Sequence, residues 1–373
     1  MSYGHALALG TESQGEYFDV EIVDEIKEGS IITIKNNQYI LKKIKLPMIS
    51  KVDVCINFYG KPYQTVVTIK SLWKHSNKHI NRIFVILEKV QPHHDYESIV
   101  LVKHLLEGLP ITFYTPEVFL ALGTPAEHLL SIPKQRYGLN FQYAFEKTTQ
   151  DFLFISHNDC LYHDDLLGQM IDRVEAEGDY SHIAGVGLIG QCWNCPAAFA
   201  KVCDSTKFEK YIPSKEELTH LVDKYSPPRA KIHHKLIQAG FIHPLPECRL
   251  NEHACLINAK LYNQVVKPVG EVLPLGGNWQ GTDTGAIWFY QMVNRGSKFI
   301  HFPFEPAMTH APFATSESGT KSDNDLEEYR AIEQKALSYL LAHKYIENTD
   351  LPRRVRMKKA YVKYLHIVKR KLV

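Results

Sequence analysis

The chain reads as an α/β protein whose sheet is mostly parallel and flanked by helices. Three observations predict this. The runs VDVCINF (52–58), IFVIL (83–87) and FLFI (152–155) are continuously apolar, the pattern of strands buried on both faces. Stretches with helical spacing lie between them, as with Val66, Ile69 and Trp73. Strand and helix then alternate at the interval of βαβ units, which make parallel strands with right-handed crossovers.

Taken in order, residues 1–15 read as flexible. Residues 17–47 hold short alternating runs with Glu-Gly-Ser and Lys-Asn-Asn turns, expected to form two or three strands of an accessory β-element. The strand at 52–58 turns at Tyr59-Gly60-Lys61-Pro62 into a helix over 65–75. The strand at 83–87, ending at Glu88, leads to a helix over 98–106 and a strand over 111–114. A helix follows RYGLN (136–140), and FLFI is the next strand. Residues 182–189 (HIAGVGLI) are a strand whose glycines invite a close backbone neighbour. The polar stretch 196–250 reads as an insertion with one helix near 215–225. Strand and helix return at 254–258 and 259–265. Loop 276–281, a helix over 284–294 stopped by Gly296, and a strand over 299–302 follow. Residues 303–318 read as a loop carrying His310, and 325–343 as a surface helix. The expected organisation is an accessory segment (1–48), a central domain (49–318) and C-terminal helices (319–373).

Composition excludes several classes. The net charge of +2 over 373 residues gives no field for nucleic acid. No apolar stretch nears the roughly 20 residues of a spanning helix. The N-terminus lacks a basic start and a long apolar centre. Seven cysteines, an odd number without such a leader, favour a reducing compartment over a disulfide framework.

The most informative stretch is DFLFISHNDCLYHDDLL (151–167), where an apolar strand gives way abruptly to Ser156-His157-Asn158-Asp159. Ligands of open α/β sheets sit beyond the carboxyl ends of strands. Asp159 offers a hard oxygen there, and His157 a nitrogen suited to Mn²⁺-like ions rather than Ca²⁺. The plain alternative is an Asn-Asp turn.

With these pieces in order, residues 50–315 resemble a GT-A fold glycosyltransferase, similar to family 2 enzymes. VDVCINFYGKP resembles the family's opening strand and nucleotide-facing loop. RYGLN followed by DFLFISHND aligns His157-Asn158-Asp159 with the metal-binding DXD triplet. EHACLINAKLYNQV is similar to the strand and helix before the acceptor side. GTDTGAIWFYQMVNRGSKFIHFP resembles the passage that carries the catalytic base, placing Asp283 there. His310 resembles the family's C-terminal metal-coordinating histidine. Departures accompany the likeness: His157 and Asn158 replace acids, Thr282 replaces Glu, and Glu88 stands for an Asp pair at the second strand end.

The resemblance implies a GT-A-like (Rossmann-type), mixed, mostly parallel sheet and an inverting transfer of sugar from a nucleotide-sugar donor to a saccharide or lipid-linked saccharide, in surface polysaccharide or glycan synthesis. Asp283 would be the base; an N-terminal helix cap is the plain alternative. Asp159, His157 and His310 would hold a divalent cation, Mn²⁺ or Mg²⁺, against the diphosphate. Tyr59, Glu88, Arg136, Asn140, Asn158 and Asp159 would face the donor. Trp279 would stack on an acceptor sugar, unless it is a core residue. Two other readings remain open: a non-catalytic nucleotide- or saccharide-binding relative in a glycan-assembly complex, and a nucleotidyltransferase, for which only Gly60 and Lys61 of a basic glycine-rich loop are present.

Two features lie outside the resemblance. Cys192 and Cys195 form a C-x-x-C, followed by Cys203 and Cys248, and four thiolates can close a tetrahedral structural Zn²⁺ site; a redox pair or unrelated buried thiols are the alternatives. The tail 352–373 holds nine Lys or Arg and no acid, with Met357, Tyr361, Leu365, Val368 and Leu372 on one helical face. That is the pattern of an interfacial helix on an anionic membrane, or of a solvated or partner-packed basic helix. The implied location is cytoplasmic, peripheral to the membrane.

Overall fold

The computed structural model describes residues 31–34, 37–40, 49–120, 125–190, 192–314 and 319–372. The strands, in chain order, are β1 (Ile31–Ile34), β2 (Asn37–Ile40), β3 (Val52–Phe58), β4 (Ile80–Leu87), β5 (Ile111–Tyr114), β6 (Phe152–Ser156), β7 (Cys160–Tyr162), β8 (Ile183–Ile189), β9 (Leu250–Asn258), β10 (Lys298–His301) and β11 (Met308–His310). Seven form one sheet in the order β10-β8-β9-β6-β3-β4-β5, in which β9 alone runs antiparallel to its neighbours. The expected mixed, mostly parallel sheet is present. Of the accessory segment, the antiparallel pair β1–β2 is described. The rest of 1–48 lies outside the described residues.

Continuous apolar strands arise because each sheet face has its own core. Val54, Ile56, Phe152 and Phe154 point to one side, where they meet Val66, Ile69 and Leu72 of the helix Pro62–Ser76 and Leu166 and Met170 of the helix Leu166–Glu175. Cys55, Leu153 and Ile155 point to the other, against Phe145, Tyr262, Trp288 and Phe289. This is the period of two, applied to a sheet buried on both sides. The glycines of β8 are explained by β9: a Cβ on Gly185 would meet the Leu250 side chain at 2.7 Å, and one on Gly187 the Cys255 Cβ at 3.0 Å.

β3 has β4 on one side and β6 on the other, so strand order reverses between β3 and β6. Such a switch point opens a crevice at the strands' carboxyl ends. Two elements around it differ from the sequence-based expectation. Loop 303–318 contains β11, which pairs antiparallel with β7 and sets His310 opposite Cys160. Strand β9 begins at Leu250, four residues earlier than its apolar run, because Asn251, Glu252 and His253 are polar yet belong to the strand.

The helix Leu326–Ala342 is not a surface addition. Ile332, Ala336 and Leu340 share the core of the helix Pro62–Ser76. Tyr329 reaches the first strand-helix turn, where its hydroxyl accepts from the Lys61 N–H (2.9 Å) and donates to Asp95 Oδ2 (2.8 Å). Glu333 accepts from the Tyr63 and Gln64 N–H groups at 2.8 and 3.1 Å, capping that helix from outside. Gly60 has φ 65°, and a Cβ there would meet Pro92 Cγ at 2.5 Å, so the turn admits only glycine.

The tail is a helix, Arg353–Leu372, held to the domain at its start and through Lys363. Val355 is buried, and Lys363 reaches Glu97 of the neighbouring turn at 3.4 Å. Met357, Tyr361, Tyr364 and Ile367 are exposed, while Leu365 and Val368 are half-buried.

Tyr329→Phe strands the buried Lys61 N–H without its acceptor. A loss of about 1–3 kcal/mol in urea unfolding is expected, the cost of an unmet buried donor. Unchanged stability would show that the helix does not hold the turn.

Candidate functional site

The crevice floor is built where β6, β9 and β11 converge. His157 extends the β6–β9 pairing, its N–H donating to the His253 carbonyl at 3.0 Å. Asp159 is held on the other flank, its carbonyl accepting from the Ala311 N–H at 2.7 Å. Three segments thereby bring His157, His253 and His310 together, with one ring nitrogen from each within 4.8 Å of the others. His253 and His310 stack at 3.8 Å between ring centroids, 7° from parallel. Asp159 Oδ1 lies 3.3 Å from His310 Nε2 and 3.8 Å from His157 Nδ1.

Burial opposes ionisation of Asp159, but His310, His157 and Lys61 outweigh it and hold the carboxyl well below its usual range. Asp159 Oδ1 and His310 Nε2 are buried and have no hydrogen-bond partner. Two buried polar atoms aimed at each other without a bond, beside two more imidazoles, fit a divalent cation. Three nitrogens and one carboxylate suit a borderline transition ion better than Mg²⁺. His253 was missed in the sequence because nothing marked an antiparallel strand as delivering it.

The cluster continues into a chain of charges. Glu252 Oε1 lies 3.7 Å from His157 Nε2, and its Oε2 lies 2.7 Å from Arg249 Nη1. Arg249 Nη2 is 3.5 Å from Asp283 Oδ2, which Arg229 Nη2 approaches at 3.1 Å. Arg229 also meets Glu247 Oε2 at 2.9 Å. Asp159 and Asp283 are therefore linked by successive ionic contacts through His157, Glu252 and Arg249. Asp283 is no helix cap: Gly285 occupies that position before the helix Ala286–Asn294, without a side-chain cap. Burial raises the Glu247 carboxyl to about 7 in spite of Arg229. Its side chain is 1% exposed, however, against 30% for Asp283. Of the two acids, Asp283 is the one a substrate can reach.

On the β4 side, Tyr59 and Phe119 lie nearly parallel, 11° apart, with centroids at 6.2 Å. Glu88 is buried at the strand end with Oε2 unpartnered. Lys61, in a left-handed turn, pairs with Asp323 at 3.3 Å. Asn140 Oδ1 accepts from Asn57 Nδ2 at 2.7 Å.

Three expected site residues have other work. Arg136 is buried, forked onto Glu146 at 2.5 and 2.7 Å, with Nη1 on the Leu130 carbonyl, so its donors are turned into the protein. Asn158 Nδ2 ties down the first turn through the Gly60 carbonyl (3.1 Å) and Thr65 Oγ1 (3.0 Å). Trp279 is 2% exposed, its indole N–H on the Pro274 carbonyl at 2.6 Å, and offers no open face to a sugar. The four cysteines Cys192, Cys195, Cys203 and Cys248 are free thiols lining one small cavity away from the histidines.

Fold and site together define an α/β domain with a mixed, mostly parallel seven-stranded sheet and a histidine-rich cluster at its switch point. No protein-family model and no curated protein sequence matches the chain. Among solved structures, it is similar to a mannosyltransferase from Pyrobaculum calidifontis in complex with GDP-Man and Mn²⁺ (11% identity, 85% of this chain and 71% of that one, TM-score 0.40). It is also similar to a galactosyltransferase in complex with donor and acceptor sugar analogues (12%, 82% and 100%, 0.40). A third is glucosyl-3-phosphoglycerate synthase from Mycobacterium tuberculosis in complex with Mn²⁺, UDP-glucose and glycerol 3-phosphate (10%, 81% and 82%, 0.36). Identities and scores this low carry no residue-by-residue correspondence.

Burial raises the Glu88 carboxyl from 4.5 to about 8. A raised carboxyl leaves stability intact below its unfolded value and erodes it as pH rises through the folded one. Glu88→Gln is expected to raise stability by on the order of 2–4 kcal/mol at pH 9 and to change little at pH 4. Equal effects in denaturation at both pH values would contradict a buried, uncompensated carboxylate.

Proposed function

We propose that the chain is a glycosyltransferase that moves a sugar, with inversion, from a nucleotide-sugar donor to a saccharide acceptor. The observation that carries this reading is the continuous polar path from Asp159 to Asp283 across the switch-point crevice. It supports a diphosphate seat at one end and a proton acceptor at the other. A divalent cation on Asp159, His157, His253 and His310 would supply charge neutralisation for the departing diphosphate. Tyr59, Phe119 and Glu88 line the β4 side, where the nucleoside would lie, and Lys61 faces the diphosphate.

In this proposal the acceptor hydroxyl approaches Asp283, which takes its proton as the oxygen bonds to the anomeric carbon. The bond from that carbon to the diphosphate oxygen breaks on the opposite face. Arg229 and Arg249 keep the Asp283 carboxylate oriented, and Arg249, paired with Glu252, ties its position to His157. Inversion follows from opposing entry and exit.

The tail supports attachment to an anionic membrane surface. Met357, Tyr361, Tyr364 and Ile367 form an exposed stripe on a helix flanked by lysines and arginines. Each basic residue near such a surface adds about 1 kcal/mol. His366 stacks on Tyr96 at 4.0 Å, and Tyr96 neighbours Asp95, the partner of Tyr329. The helix thus packs beside the turn that Tyr329 supports, a placement that would suit a lipid-linked acceptor. No helix among the described residues is long and apolar enough to cross a membrane.

Asp283→Asn is expected to lower turnover about 10²–10⁴-fold, the usual worth of a general base, while leaving donor affinity within a few-fold. Undiminished sugar transfer would remove Asp283 as the base, and absent transfer in the unaltered protein with every donor tested would favour a binding protein. Deleting 352–373 is expected to release the chain from phosphatidylglycerol vesicles at low salt. Continued co-sedimentation would reject the tail as the attachment.

A further inference from the structure

Between the end of β8 and the start of β9, a cavity of about 20 Å³ is lined by Cys192, Cys195, Cys203 and Cys248, together with Asp204 and Glu247. The thiols come from three separate segments: the turn Cys192–Asn194 and its successor, the loop at 203, and the residue before Arg249. No disulfide joins any of them. Both carboxylates at the rim already have a cation, Asp204 with Lys207 at 2.7 Å and Glu247 with Arg229 at 2.9 Å. The thiols are the donors left without a charged partner. A void of this size has room for one water or ion and no organic ligand.

We propose that these four thiols form a tetrahedral zinc site that fastens the segment 192–248 to the sheet. The set is all sulfur, as structural zinc sites often are, and includes none of the three clustered histidines. Among the described residues, the histidines are the one trio of metal-ligating atoms already within 4.8 Å. The thiols line one cavity but are not yet within that distance of one another, so binding an ion would draw them together. Binding releases their protons to solvent, and the thiolates remain as ligands.

The position gives the site a consequence. Cys248 stands between Glu247 and Arg249, and these two reach Arg229 and Asp283. Zinc at the cavity would fix the backbone that aims both arginines. This role does not depend on the reaction proposed above.

The test uses the full chain under reducing conditions, stripped of metal and titrated with Co²⁺. One equivalent is expected to produce an intense near-ultraviolet thiolate-to-metal charge-transfer band with tetrahedral visible bands, both displaced by Zn²⁺. Imidazole ligands give no such charge-transfer band, so His253→Ala should preserve it, while Cys195→Ser and Cys248→Ser should each lower its intensity and the double variant should lower it further. Cys55→Ala, a core thiol away from the cavity, should keep it. Absence of the band in the folded, unaltered chain would overturn the proposal whatever the variants do. So would peptide mapping that finds these cysteines paired as disulfides in metal-free protein.

Discussion

The Glu252 carboxylate is the constraint on which the site depends. It is almost fully buried, with His157 on one oxygen and Arg249 on the other. Burial opposes its ionisation, but Arg249 and His157 overcome that and keep the carboxyl far below its usual range. A buried ion cluster is weak evidence for stability in itself, because desolvation consumes most of the attraction. Removing one member is different, since it leaves an unpaired charge at a cost of about 3–5 kcal/mol. Glu252 thus fixes the distance between the histidines and Asp283, and no neighbouring group replaces it.

The antiparallel strand β9 makes that arrangement possible. A parallel strand between β6 and β8 would put its carboxyl end at the crevice. Running the other way, β9 enters there, and its first residues are those that face the cleft. Arg249, Glu252 and His253 therefore arrive together from one segment. The two-strand pair β7–β11 then brings His310 over Asp159. That short pairing holds His310 where the main sheet alone would not place it.

Much of the fold was legible because its strands are doubly buried and its helices periodic. The strands at 52–58 and 111–114 and the helices at 215–225 and 259–265 were readable from local pattern alone. The site was legible only in part. Asp159, His157 and His310 lie together, and Asp283 connects to them through Glu252 and Arg249. Arg136, Asn158 and Trp279 misled because a motif shows residue type and order, not which way a side chain turns. Arg249, Arg229 and Glu247 lay within the stretch that read as an insertion, and Glu252 and His253 opened a run read for its strand and helix, not for its polar residues. Their partners are distant in sequence, and no local period encodes a pairing across 54 residues such as Arg229 with Asp283.

The gathering of three imidazoles beside a single carboxylate, with Asn158 outside the set, then has a physical reading. Fewer carboxylates weaken a site for hard, strongly hydrated ions, whose binding rests on charge. Neutral imidazoles supply coordination without charge, and β9 and β11 bring two of them beside His157. The balance shifts from electrostatic attraction toward ligand-field and covalent preference, which separates transition ions from Mg²⁺. A cation held by one carboxylate also keeps more of its positive charge. In the proposed reaction that charge faces a diphosphate, so a site poorer in acids grips its leaving group more strongly even as it holds its cation less by charge. Asn158 fits the same logic: freed from any ligand role, its amide fastens the Gly60 turn against which the diphosphate would rest.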